Sequence, residues 1–132
     1  IGINSIKFYL SFSKKINYLR NNFKKHIKIL KNENKVKNAY GAAAKGNTFL
    51  NYMDLNSDDI ETIMDKNVYK IGKISPGGLI KIIKPTTSVL KKPDYVLILA
   101  WNIKNEIIND LKKNYFYKNK FIISIPKFKI IF

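Results

Sequence analysis

The sequence predicts an α/β fold: a Rossmann-like open parallel sheet of about five strands with flanking helices, preceded by a long N-terminal helix. Three observations carry this reading. Five short segments read as strands along the chain, at residues 36–40, 60–64, 79–83, 95–99 and 121–125. Segments of helical period or strong turn chemistry separate them, and strands alternating with helices argue for parallel pairing through right-handed crossovers. Ahead of all of them, residues 3–31 hold apolar side chains at steps of three and four.

The leading helix places Ile16, Leu19, Phe23, Ile27 and Leu30 on one stripe, with Lys14, Lys15, Arg20, Lys24, Lys25, Lys28 and Lys31 on the other faces. Such a stripe suits packing on its own domain or on a neighbouring one, in preference to a membrane surface. A polar break at residues 32–35 follows. The first strand then runs into Gly41, and residues 42–53 read as a helix. The second strand ends at Asp65. Ser75-Pro76-Gly77-Gly78 is a turn. The third strand is closed by Pro85, and residues 86–91 form a short helix or turn. Residues 95–99 are unbroken apolar, which suits a strand buried on both faces. Asn102 is the expected N-cap of a helix whose apolar face is Ile103, Ile107, Ile108 and Leu111. The last strand stops before Pro126. The expected organisation is a linking helix over 1–34 and a Rossmann-like domain over 35–132.

Composition narrows the chemistry. The chain has no cysteine, which excludes disulfides, thiolate metal sites and a cysteine nucleophile, and fits a reducing, cytoplasmic compartment. Its one histidine, His26, sits among lysines on the first helix, so no metal site built on several imidazoles is available. The net charge of +16 invites nucleic acid as a partner. However, Arg20 is the only arginine, and the excess is lysine in a chain also rich in Asn and Ile. Those three residues share AT-rich codons, whereas a dedicated DNA reader would use arginine for bidentate contacts. Nucleic acid is therefore the lesser expectation. No run is apolar enough to span a bilayer, and Asn4 and Lys7 interrupt the start too early for a signal sequence. Ile1 in place of methionine suits a processed chain or a piece of a longer product.

Residues 40–48, Tyr-Gly-Ala-Ala-Ala-Lys-Gly-Asn-Thr, carry the most information. They follow a strand and open a helix, where parallel sheets bind ligands. Gly41 allows a sharp turn, Lys45 supplies a cation, and Asn47 and Thr48 supply neutral polar groups. The lysine precedes Gly46, so the segment is no Walker A loop. Ala39 replaces the first glycine of the dinucleotide fingerprint, which counts against a stand-alone nicotinamide-dependent protein. Asp65 ends the second strand either as a ribose-binding acid or as a turn residue.

Four blocks then match, in order, one family. Residues 40–51 (YGAAAKGNTFLN), 65–73 (DKNVYKIGK) with Ser75-Pro76-Gly77, 93–102 (PDYVLILAWN) and 120–126 (KFIISIP) resemble the C-terminal domain of the sugar-nucleotide C-methyltransferases that modify deoxysugars. The resemblance covers residues 35–131. Ala39 stands where the family usually has glycine, and Ala100 and Ser124 where it usually has proline.

The resemblance implies a three-part enzyme: a cysteine-rich zinc domain, a central domain that binds S-adenosylmethionine, and this Rossmann-like domain. The implied chemistry removes a proton beside a sugar keto group, using a histidine in a Tyr-His-Glu-His segment of the central domain. That segment does not occur here. The chain is therefore expected to hold no catalytic residue, no metal and no cofactor, and to be inactive alone. What it is expected to contribute is part of a nucleoside diphosphate sugar pocket: Tyr40, Gly41, Lys45, Asn47, Thr48 and Asp65, with Lys70 and Lys73 for diphosphate charge. Trp101 and Asn102 end another strand and face either the same crevice or, for Trp101, a core or domain interface. The implied partner is the central methyltransferase domain, in cis or in trans.

Overall fold

The computed structural model describes residues 3–132. In chain order its elements are α1 (Ile6–Asn32), β1 (Val36–Tyr40), α2 (Ala44–Tyr52), β2 (Thr62–Met64), β3 (Lys81–Ile83), α3 (Thr87–Leu90), β4 (Tyr95–Ile98), a 3-10 turn (Trp101–Ile103), α4 (Lys104–Asn114), β5 (Lys120–Ile123) and β6 (Lys129–Ile131). Among the described residues, six strands form one sheet in the order β3-β2-β1-β4-β5-β6. The first five are parallel, and β6 pairs antiparallel with β5. The Rossmann-like sheet and long first helix are those the sequence predicts. The sixth strand is an addition, because three half-exposed residues at a sheet edge carry no pattern of their own.

Side chains alternate across the sheet with period two. Ala39, Ile63, Tyr95, Leu97, Leu99 and Ile122 join Phe23, Ile27, Leu30, Phe49 and Leu50 of α1 and α2 on one face. Tyr40, Met64, Val96, Ile98, Phe121 and Ile123 join Leu90 of α3 and Ile107, Ile108 and Leu111 of α4 on the other. All four residues of β4 are buried, as a central parallel strand requires.

Local chemistry sets the ends of the elements. Ser5 caps α1 by accepting from the Phe8 amide at 3.3 Å. At the other end Asn34 adopts φ 58°, and the Lys35 and Asn34 amides donate to the Leu30 and Lys31 carbonyls at 3.0 and 2.8 Å. This is a Schellman stop with asparagine in the left-handed position. Thr86 caps α3 by accepting from the Val89 amide.

The second and third strands are shorter than the segments 60–64 and 79–83 that the sequence predicts for them. Ile60 and Ile80 are buried but lie outside the ladder. The Ile60 amide donates to the Asn56 carbonyl, and that of Ile80 to the Ser75 hydroxyl. Turns, not sheet partners, satisfy these groups. The expectation that Asn102 caps α4 is corrected. The chain leaves β4 through the 3-10 turn, Asn102 lies inside it, and α4 starts at Lys104 without a side-chain cap. Among the described residues no helix is long and apolar enough to cross a membrane.

Candidate functional site

The strand order reverses between β1 and β4. The connection after β1 runs to β2 on one side, and that after β4 runs to β5 on the other. Open parallel sheets bind ligands outside the carboxyl ends of the strands at this switch point. Here a crevice of about 390 Å³ opens there, lined by Tyr40, Gly41, Ala43, Asp65, Lys66, Lys70, Ala100, Ile103, Glu106, Ile107 and Asp110.

The turn after β1 forms its floor. Gly41 has φ +94°, and a Cβ on it would lie 2.9 Å from the Ala100 Cβ. Glycine is required twice over, by backbone conformation and by the approach of Ala100 just after β4. The next residue, Ala42, is clamped. Its N–H donates to Asp65 Oδ2 at 2.8 Å, and its carbonyl accepts from Lys70 Nζ at 2.7 Å. Lys70 Nζ also lies 3.7 Å from Asp65 Oδ2, while Asp65 Oδ1 accepts from the Asn67 amide at 2.8 Å. Both carboxylate oxygens of Asp65 are thus engaged with the chain itself. These bonds delay the start of α2 to Ala44, later than the sequence predicts.

The opposite wall comes from α4. Lys66 donates to Asp110 at 2.7 Å, and the Asn114 amide donates to Asp110 at 2.8 Å. Burial opposes the charge on Asp110, but the hydrogen bonds from Lys66 and Asn114 outweigh it and hold the carboxyl below its usual range. Tyr40 is 6% exposed. Burial first, then the charges of Asp110 and Asp65, push its phenol well above the ordinary value, so it stays a protonated donor.

Of the residues singled out in the sequence, Tyr40, Gly41, Asp65 and Lys70 meet in this crevice. Lys45 and Trp101 form a separate pair, with Lys45 Nζ 5.6 Å above the indole. Trp101 is half-buried and packs edge-on to Phe49 at 5.8 Å, on the α1 and α2 side of the sheet. Asn47 is half-buried on α2 with an unpartnered Oδ1, and the Thr48 hydroxyl donates back to the Ala44 carbonyl. Lys73 and Asn102 are exposed and do not line the crevice. Sequence reasoning missed Lys66, Glu106 and Asp110. One signal was present: Ile103, Glu106, Ile107 and Asp110 fall at steps of three and four, so they share a helix face.

A second hollow of about 610 Å³ lies between α1 and the turn after β5, against Ile16, Leu19, Pro126 and Phe128, with Lys14, Lys15 and Lys127 at its border. In the first turns of α1, ahead of this hollow, Ile6, Phe8, Tyr9, Leu10 and Phe12 are exposed.

Comparison with known proteins agrees with this architecture. The profile of the C-methyltransferase C-terminal domain matches residues 1–126. The chain is 32% identical over 130 residues to the C-methyltransferase NovU of Streptomyces niveus, covering 98% of this chain and 31% of that protein. It therefore spans about a third of that relative's length. A matched profile over nearly all of the chain, on the sheet just described, shows that the protein belongs to the C-methyltransferase C-terminal domain family.

Proposed function

We propose that this domain supplies one wall of a sugar-nucleotide site in a C-methyltransferase and has no methyl-transfer activity by itself. The observation that carries the reading is the crevice at the β1/β4 switch point, in a chain of this family. The nucleoside diphosphate sugar lies across the carboxyl edge of the sheet. Tyr40 and the Gly41 turn meet it in the crevice. Lys45, in the first turn of α2 beside Trp101, meets its diphosphate charge together with the N-terminal amides of that helix. Asn47, Thr48, Lys73, Trp101 and Asn102 lie outside the crevice, as Lys45 does, and take supporting places around the diphosphate.

S-adenosylmethionine belongs to the complete enzyme. The residues of this chain do not fit an adenosyl cofactor. In the turn after β1, the N–H and carbonyl of Ala42 are taken by Asp65 and Lys70. Asp65, the acid that would meet ribose hydroxyls, has both oxygens engaged. The methyltransferase domain is instead the partner. The exposed first half of α1 is the arm that seats this domain on it, and residues 35–132 form the body that carries the crevice.

Calorimetric titration with dTDP at low and moderate salt tests this reading. Saturable binding that survives moderate salt and is lost in Lys45→Ala is expected. Binding that vanishes with salt and ignores Lys45→Ala would mark a nonspecific polycation and sink the proposal.

A further inference from the structure

The crevice has a charge pattern unsuited to phosphate. Three carboxylates line it, Asp65, Glu106 and Asp110, against two ammonium groups, Lys66 and Lys70. Both lysines are committed, Lys66 to Asp110 and Lys70 to the Ala42 carbonyl beside Asp65. Glu106 is exposed at the rim of the crevice and has no cation paired with it among the described residues. Facing the same space is the Tyr40 hydroxyl, whose side chain is more than nine-tenths buried and which no described group hydrogen-bonds. The crevice therefore offers one unengaged acceptor and one unengaged donor between apolar walls that include Ala100 and Ile103. The ring of Tyr40 is buried while its hydroxyl stays in reach of solvent, so a ligand in the crevice can replace water as its partner.

We infer that the crevice takes the uncharged, hydroxyl-bearing ring of the ligand, read by the Glu106 carboxylate and the Tyr40 hydroxyl, and excludes its diphosphate. This rests on the sugar-nucleotide reading and narrows it. Glu106 accepts from a ring hydroxyl, Tyr40 donates to a neighbouring oxygen, and the apolar walls cover C–H faces. The ring is either the ribose of the nucleoside or the hexose, since both present this chemistry. The diphosphate is left to Lys45 and the start of α2, on the other side of the β1 turn.

The test is an amide-resolved NMR titration of the full chain with inorganic pyrophosphate, thymidine and dTDP-glucose, repeated in Glu106→Gln and Tyr40→Phe. Neither substitution removes a bond that the fold uses, and thermal unfolding of each variant verifies this. Pyrophosphate is expected to leave the amides of Gly41, Ala43 and Ile103 unmoved, and dTDP-glucose to shift them. Thymidine shifting the same amides assigns the ribose, and thymidine leaving them unmoved assigns the hexose. Glu106→Gln should weaken dTDP-glucose about tenfold and Tyr40→Phe about fivefold, with pyrophosphate affinity unchanged. Pyrophosphate moving the crevice amides, or dTDP-glucose binding there equally well in both variants, would overturn the inference while leaving the sugar-nucleotide reading standing. Crevice amides unmoved by every probe would overturn both.

Discussion

Ala42 shows how one peptide unit can be fixed from outside its own element. Asp65, after β2, takes its N–H, and Lys70, five residues on, takes its carbonyl. Water is largely excluded, since Ala42 is buried. Losing one partner therefore leaves a polar group unmet. Asp65→Asn keeps the shape but removes the charge and part of the acceptor capacity. We expect it to lower stability by about 1–3 kcal/mol, measured by urea unfolding. Unchanged stability would mean that the clamp contributes nothing to the fold. A carboxylate ending the second strand was readable as either a ribose acid or a turn residue. The structure places it at a turn, with the Asn67 amide on one oxygen and the Ala42 amide on the other. The second bond could not be read in advance, because Ala42 is 23 residues away in the chain.

Among the elements, α1 divides in two. Its second half buries Phe23, Ile27 and Leu30, with Phe23 edge-on to Phe49 at 5.0 Å and to Phe128 at 5.9 Å. Its first half exposes Phe8 and Phe12, stacked on each other at 6.4 Å. Periodicity marked the stripe from Ile16 to Leu30 without revealing which part has a partner, since amphipathic spacing is the same in both cases. Phe23→Ala should cost about 3–5 kcal/mol. The double change Phe8→Ser and Phe12→Ser should stay within about 0.5 kcal/mol, as for exposed sites. Thermal unfolding of both variants compares them directly. Equal losses would mean that the first half of α1 is packed in solution. Strand ends were the least readable feature, because Ile60 and Ile80 are apolar and buried yet bonded to turns.

Across the whole molecule, nine acidic side chains stand against 25 basic ones. The acids are placed to be used: Asp54 pairs with Arg20 and Lys24, Asp59 with Lys31, Asp110 with Lys66, and Asp65 lies beside Lys70. The exposed pairs contribute little individually. Asp110 and Asp54 both titrate below the usual 3.8. A depressed folded-state value means stability that is present above the unfolded value and lost as pH falls through the folded one. Stability should therefore drop as the pH is lowered below about 4, aggravated by repulsion among the remaining lysines. Melting temperatures at pH 6 and pH 3 measure this, and Asp110→Asn should flatten the fall. A profile level across that range in the parent chain would remove these carboxylates from the account. Added salt should restore part of the loss at pH 3 by screening the lysines.

The order of strands and helices, the buried central strand and the stop of α1 were all determined by local sequence: period, turn residues and a left-handed asparagine act over a few residues. The family was determined there too, by four blocks in order. Tertiary structure decided the rest. Only folding brings α4 against the turn after β1, so that Glu106 and Asp110 share a crevice with Tyr40. Only folding engages the Asp65 oxygens and the two lysines, turning residues with phosphate-binding chemistry into clamps and leaving Glu106 of the crevice without a paired cation among the described residues. Burial and pairing are sums over neighbours distant in the chain, and no local pattern encodes them.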